Sequence, residues 1–405
     1  MKKAVAMILA GGRGTRMDIL CQRRPKPILP FAGHLRVIDF TLSNCIHSGI
    51  NNIGILVDYQ RNHLSEYLQQ WHSANSSHSY LRILEPKISS YKGTADAVYQ
   101  NLDYLKQHSP DAVVVLAGDH VYRMDYRKML TFHEQVDADV TIGVIPVPIE
   151  QAHRFGIVTT NADGRITDFI EKPKIPTASL ASMGIYIFKR QALTECLIED
   201  SVLANSHHDF GQSIIPQMVK GNKVFAYKFD GYWQDIGTVT AYYAANMELL
   251  SEVPSLGLNG KWPIFSNDNI LLPPKIAHQD NIIHSLIGQG CVIRGKVENS
   301  ILSPGVRVEE DAVVRNSVIM SNTTIGKYSV VDRCILDENV KVGEFCYVGF
   351  GATLIPVDWD ITVIGKGVTI PPGTAIGRAC KVQPEAMSLD FTTKAVPAGS
   401  VVGQR

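Results

Sequence analysis

The chain has 405 residues, enough for two domains and a sizeable core. Its 39 basic and 39 acidic residues balance, so net charge gives no reason to expect nucleic acid or an anionic membrane as partner. Seven scattered cysteines, with no C-x-x-C pair and no Cys/His cluster at zinc spacing, point away from a disulfide framework or structural zinc. They fit a reducing, cytoplasmic setting in which thiols serve as small buried hydrophobes.

The first element is the apolar run Ala4–Ala10, which reads as a strand buried on both faces. Lys2-Lys3 ahead of it imitate a signal peptide, but no small-residue cleavage site follows. No apolar stretch reaches the length that spans a bilayer. The run stops at Gly11-Gly12-Arg13-Gly14-Thr15-Arg16, and Lys26 follows between two prolines. Glycines after a buried strand let the backbone approach a ligand, and successive N–H groups there cradle phosphate oxygens. With Arg16 and Lys26 beside it, the loop suggests a nucleoside triphosphate site. It also reads as a tight turn carrying surface arginines. It is not a P-loop, since no Lys-Ser or Lys-Thr follows, and Met17 breaks the dinucleotide fingerprint at its last glycine.

Strands are expected at Ile53–Val57, Ala112–Leu116 and Asp139–Val147, with helices at Ile38–Ser48, His63–Trp71 and Thr94–His108. This alternation predicts a doubly wound, largely parallel sheet that binds ligands beyond the carboxyl ends of its strands. Gly11-Gly12 and Gly118-Asp119 both follow strands, so both are expected to line one crevice. Gly156–Thr160 and Arg165–Ile170 read as a hairpin. A strand at Met183–Phe188, a helix near Phe210–Val219, a strand at Val224–Lys228 and a helix at Val239–Leu250 follow. The expected division is residues 1–250, a linker 251–280, and a different architecture in 281–405.

In that last part, Asn299, Asn316 and Arg333 each open a repeat. Within the repeats a branched apolar residue recurs at Leu302, Val308, Val314, Ile319, Ile325, Val331, Leu336, Val342 and Val348, continuing at Ile364, Ile370 and Ile376. A hexapeptide repeat of this kind is the signature of a β-helix with three flat faces per coil. Each coil buries its apolar side only against its neighbours, and such solenoids more often hold assemblies together than catalyse.

Four constellations carry chemistry. Tyr91-Lys92-Gly93-Thr94-Ala95-Asp96 opens a helix and offers N–H groups and a hydroxyl to a base or phosphate, or reads as a plain N-cap at Thr94. Asp119 after Gly118, and Asp235 in Tyr232-Trp-Gln-Asp-Ile-Gly-Thr238, are carboxylates suited to a shared Mg²⁺, or are turn and cap residues. Glu171-Lys172-Pro173, with Ser182-Met-Gly-Ile-Tyr186 beyond, suits a sugar phosphate, or is a surface ion pair worth little.

Together these residues resemble the bacterial glucose-1-phosphate adenylyltransferases along nearly the whole chain. The match includes the first loop and Lys26, Arg36-Val-Ile-Asp-Phe-Thr-Leu-Ser-Asn-Cys45, Gly93-Thr-Ala-Asp-Ala97, Ala117-Gly-Asp-His-Val-Tyr122 and Ser206-His-His-Asp-Phe-Gly211. The resemblance implies a Rossmann-like α/β nucleotidyltransferase domain with a mixed, mostly parallel sheet, followed by a left-handed parallel β-helix. It implies synthesis of ADP-glucose and pyrophosphate from ATP and α-D-glucose 1-phosphate, supplying glycogen or α-glucan synthesis, in a cytoplasmic homotetramer under small-molecule control. By motif match, Leu9, Ala10, Gly11, Gly12, Gly93, Thr94 and Asp96 hold the nucleotide. Tyr91, Gly156, Glu171, Lys172 and Ser182 hold glucose 1-phosphate. Asp119 and Asp235 hold Mg²⁺, while Arg16 and Lys26, with Asp119, serve catalysis.

Departures from the family concern control. The loop before Tyr91 is short, Ser90 stands where regulated members have Trp, and Asp58 stands where they have Gln. Of the residues matching the activator site, Arg36 and Arg333 are kept, a lysine has become Arg23 and a histidine Pro30. The expectation is a weak or altered response to fructose 1,6-bisphosphate. Rival readings are uridylyl or thymidylyl transfer on the same fold, a non-catalytic regulatory subunit, and an added acyl transfer with His284 as base.

Overall fold

The computed structural model describes residues 3–75, 79–258, 260, 262–267, 271–351 and 360–403. The chain forms two compact units. One comprises Met1–Gly12, Ile38–Trp233 and Lys261–Asn267; the other comprises Arg13–Val37, Gln234–Gly260 and Asp268–Arg405.

The first unit is built on a nine-stranded sheet. Its strands are β1 (Ala4–Leu9), β2 (Asn52–Leu56), β3 (Tyr80–Leu84), β4 (Ala112–Ala117), β5 (Val140–Pro146), β6 (Gly156–Thr160), β7 (Ile166–Glu171), β8 (Leu180–Lys189) and β9 (Val224–Lys228). The order is β7-β6-β8-β4-β1-β2-β3, with β5 against β8 and β9 beyond β5. Strands β4, β1, β2 and β3 run parallel. Val5 to Ile8 of β1 are completely buried, as a central strand covered on both faces requires.

Strand β8 is antiparallel to both β4 and β5, which makes the sheet mixed. A bulge between Ser182 and Tyr186, with Gly184 at φ 68, turns its first half away from β4, so that Ala181 pairs with Ile157 of β6.

Helices α1 (Val37–His47), α2 (Arg61–Asn75), α3 (Thr94–Tyr99), α4 (Leu102–His108), α5 (Tyr126–Gln135), α6 (Ile149–Ala152), α7 (Arg190–Ser201) and α8 (Ile215–Gly221) fill the crossovers. The helix expected over Thr94–His108 is two helices, divided where Asn101 leaves helical geometry at φ −114 and ψ 24, its amide bonded to the Ala97 carbonyl at 2.9 Å. The one expected from Phe210 begins as a wide π turn, Phe210–Ile214. The edge strand β3 and helices α5 and α7 were not foreseen. Residues 262–267, read from the sequence as linker, pack on this unit: Trp71 Nε1 donates to the Phe265 carbonyl at 3.1 Å, and His47 stacks on the Phe265 ring.

The second unit is built on a left-handed parallel β-helix whose described residues form three sheets of six, seven and seven strands. The apolar ladder read from the sequence is its core. Val308, Ile325, Val342 and Ile370 pair along one face, Val314, Val331, Val348 and Ile376 along the second, and Leu302, Ile319, Leu336 and Ile364 along the third. All twelve side chains are buried. Asn299, Asn316 and Arg333, which open the repeats, sit at positive φ, the left-handed conformation that each coil corner needs. Helix α9 (Val239–Glu248) and the segment 13–37 pack with this unit; Tyr242 of α9 donates to the Pro30 carbonyl at 2.6 Å. All seven cysteines are buried. No described helix is long and apolar enough to cross a membrane.

Candidate active site

In the first unit the two glycine turns leave the sheet side by side, because Leu9 and Ala117 are register partners in β1 and β4. The Ala10 N–H donates to the Leu56 carbonyl and the Gly118 N–H to the Leu9 carbonyl, each at 3.0 Å, which fixes both turns to neighbouring strands. Space beside Gly12 is open, whereas a Cβ on Gly11 would touch Asp58 at 3.2 Å. Asp58 lies in the loop after β2 and accepts the Tyr91 N–H at 3.3 Å, so the first glycine loop and the Tyr91 segment share one carboxylate neighbour. Asp119, half-buried at the end of β4, lies 3.7 Å from the His120 ring.

Tyr91 is held by the Leu84 carbonyl and by Asn101, and burial pushes its phenol up to about 12, so it is a neutral donor at any physiological pH. Asp96 is committed to the Lys92 N–H and the Gln100 amide. The N-cap of α3 is Gly93, not Thr94 as the plain reading had it; Thr94 is the first helical residue. Its hydroxyl donates to Asp209 at 2.8 Å and accepts the Phe210 N–H at 3.0 Å. The N–H groups of Ala95 and Asp96 both donate to the His208 carbonyl. The helix start therefore offers a ligand fewer donors than the sequence suggested.

Glu171, at the end of β7, is wedged between two glycines: a Cβ on Gly156 or on Gly211 would stand 2.8 or 2.6 Å from its Oε2. Lys172 follows at φ 46 and reaches back to Glu171 Oε1 at 2.5 Å. Its side chain is about half exposed, so this pair is partly solvated and contributes little to stability. Ser182 is buried beside the bulge of β8, 3.4 Å from the Tyr186 hydroxyl, and its Oγ accepts the Gly184 N–H.

In the second unit, Lys26 is buried and places Nζ 3.3 Å from Asp235 Oδ1. Gly14 takes φ 62 to turn the chain before Arg16, whose exposed guanidinium lies near Gly237, two residues past Asp235. Gly237 has little room: a Cβ there would meet the Asp235 carboxylate at 2.8 Å. Of the residues assigned to control, Arg23 pairs with Glu385 at 2.9 Å, Arg36 with Glu338 at 2.9 Å and Arg333 with Asp360 at 2.6 Å.

The sequence reading passed over Arg24, which is buried against Asp337 and Glu338. Asp209, within Ser206-His-His-Asp-Phe-Gly211, carries no mark of its role in the sequence. A charged residue gives no sign of burial in the sequence, and the partners of both lie more than a hundred residues away.

The family described as "Nucleotidyl transferase" matches residues 5–252, and "GlmU-like, C-terminal hexapeptide" matches residues 273–354. The chain is 41% identical to the glucose-1-phosphate adenylyltransferase of Desulfitobacterium hafniense strain Y51, over 94% of this chain and 98% of the relative. It is 40% identical to that of Acetivibrio thermocellus, over 96% and 95%, and 46% identical to that of Bacillus cereus strain Q1, over 79% and 87%.

Proposed function

The chain belongs to the glucose-1-phosphate adenylyltransferase family, and from that premise we propose that it makes ADP-glucose and pyrophosphate from ATP and α-D-glucose 1-phosphate, the activated glucosyl unit of glycogen and related glucans. The observation that carries the reading is the paired exit of the two glycine turns from β1 and β4, with Glu171–Lys172 and Ser182 on the same unit. The catalytic part is taken as residues 1–250, the linker as 251–280 and the β-helix as 281–405.

The sugar phosphate is already an anionic nucleophile, so no general base is needed. One of its phosphate oxygens bonds to the α-phosphorus of ATP while the bond to the β-phosphate bridging oxygen breaks in line, releasing pyrophosphate. The protein's contribution is positioning and charge neutralisation. Leu9, Ala10, Gly11 and Gly12, with Gly93, Thr94 and Asp96, hold the nucleotide. Tyr91, Gly156, Glu171 and Ser182 hold the sugar, and Lys172 exchanges Glu171 for the sugar's phosphate. Arg16 and Lys26 meet the charge that grows on pyrophosphate. Asp119 and Asp235 are the carboxylates assigned to Mg²⁺; each is a hard oxygen donor, and that ion takes one or two carboxylates and completes its shell with phosphate and water. Such an ion would offset the repulsion between the triphosphate of ATP and the sugar's phosphate.

Control is taken to be altered from that of the regulated bacterial members, and the assembly to be a homotetramer. Support for the first comes from Arg23, Arg36 and Arg333, each already paired with a carboxylate.

The test is pyrophosphate release from glucose 1-phosphate with each of ATP, UTP, dTTP and GTP, with and without Mg²⁺. Turnover with ATP, abolished by EDTA and by Asp119→Asn, is the expected outcome. Preference for UTP or dTTP would move the chain to a sister activity, and inactivity with all four in a chain that binds ATP would make it a regulatory subunit.

A further inference from the structure

We propose that Asp200 and His208 are positioning residues for the nucleotide: their pair holds a left-handed turn whose carbonyl closes the start of α3 behind Gly93 and Thr94. The inference rests on the assignment of that segment to ATP.

Asp200 lies in the last turn of α7 and is buried, as is His208. His208 Nδ1 stands 2.8 Å from Asp200 Oδ2. An ionised carboxylate only accepts, so Nδ1 carries the proton. The other carboxylate oxygen accepts the Ser206 hydroxyl at 2.5 Å, and Ser206 Oγ in turn accepts the His208 N–H at 2.9 Å. Asp200 thus grips both ends of a three-residue turn.

The turn is costly on its own. His208 sits at φ 51, a conformation that a β-carbon residue avoids and that persists only where its surroundings enforce it. What the strain achieves is visible at the next residues. The His208 carbonyl points at α3 and accepts from Ala95 and Asp96 at 2.9 and 3.1 Å. Asp209 then turns its carboxylate to Thr94 on one side and to the N–H groups of Gly211 and Gln212 on the other. Gly211 closes against Glu171. One short segment therefore spans the distance between the nucleotide residues and the sugar residue, and the Asp200–His208 pair sets its register. Because His208 itself touches the α3 side, loosening it displaces the ATP residues more than Glu171.

The choice of variants separates positioning from simple stability. His208→Gly accepts the left-handed turn freely but has no ring to tie it down. His208→Asn tolerates the same conformation and places an amide donor, Nδ2, the same number of bonds from Cβ as Nδ1. Asp200→Asn keeps the shape but cannot accept from both partners. KM for each substrate, kcat, and the calorimetric Kd for ATP are measured well below each variant's melting temperature.

His208→Gly and Asp200→Asn are expected to weaken ATP binding about 10-fold or more with a smaller effect on the KM for glucose 1-phosphate, and His208→Asn to return within about 2-fold of the parent. If the first two variants melt earlier yet keep the parent's ATP affinity, if both substrates weaken equally, or if His208→Asn fails to rescue, the proposal is wrong. A parent chain that binds ATP but turns nothing over would sink the reaction assigned above, while the calorimetric comparison would still decide the role of this pair.

Discussion

Lys26 Nζ lies 3.3 Å from Asp235 Oδ1, with both side chains almost fully withdrawn from solvent. Away from water each holds the other's charge in place, and a charge fixed before the substrate arrives costs no reorganisation when pyrophosphate forms. Lys26→Gln removes that charge at similar length. The expected loss in kcat is about 100-fold to 1,000-fold, with the chain still folded by circular dichroism. Lys26→Arg should recover little of it, since a forked guanidinium does not fit a point-charge niche beside one carboxylate oxygen. Parent-like kcat in Lys26→Gln would remove this lysine from the reaction.

Two glycines of the segments proposed to hold the nucleotide make opposite predictions. A Cβ on Gly93 would stand 2.3 Å from the His208 carbonyl oxygen and 2.7 Å from that of His207. These are backbone atoms of a tied turn, so Gly93→Ala should cost about 1–3 kcal/mol of stability, read by urea denaturation. Gly12→Ala meets nothing within 4 Å and should leave stability unchanged within about 0.5 kcal/mol. If phosphates occupy that space, Gly12→Ala nevertheless weakens ATP binding. Unchanged ATP affinity in Gly12→Ala would show that the loop does not cradle them.

Most of the frame was legible because burial on both faces writes a plain signal. The span expected for β1 agrees with the structure to within a residue, and the twelve apolar positions of the β-helix ladder are all in its core. What escaped lacked that signal. Strand β3 is an edge strand with Tyr80 78% exposed, so no apolar run marks it. The break between α3 and α4 falls at Asn101, and an asparagine serves equally well on an exposed helix face. At the site, residue types were readable and partnerships were not. Thr94 looked like a cap because sequence shows the helix start but not Asp209, 115 residues on, which takes its hydroxyl.

Around Glu338 three cations converge: Arg24 at 3.5 Å, Lys366 at 3.1 Å and Arg36 at 2.9 Å. Burial by itself would raise this carboxyl, but the three charges outweigh it and hold it down at about 2. A carboxyl with a lower pKa in the folded chain than in the unfolded one adds stability above the unfolded value, near 4.5. That contribution fades as pH falls toward 2. Asp337 beside it is shifted the other way, upward, because burial dominates there. Glu338→Gln should therefore lower the melting temperature at pH 7 and flatten its fall between about pH 4.5 and 2. Parallel melting curves for parent and variant across that range would deny Glu338 this role.

Arg23 and Glu385, 2.9 Å apart, face a cavity of about 640 Å³ that Gln22, Gln383 and Asp390 also line. An anionic effector entering there meets an arginine already paired and two carboxylates that repel it. Arg36 and Arg333 are likewise occupied by Glu338 and Asp360. Activation requires an anion to bind one state better than another by a margin, and here part of its binding energy goes to breaking existing pairs. Fructose 1,6-bisphosphate is thus expected to raise activity less than the roughly 5-fold at which allosteric coupling becomes substantial. The Arg23–Glu385 pair is largely exposed, so Glu385→Gln should leave stability within about 0.5 kcal/mol of the parent while releasing the guanidinium. A stronger response to the bisphosphate in that variant would locate the block in this pair. A steep activation curve in the parent chain would show that these pairs yield to the effector and that control is intact.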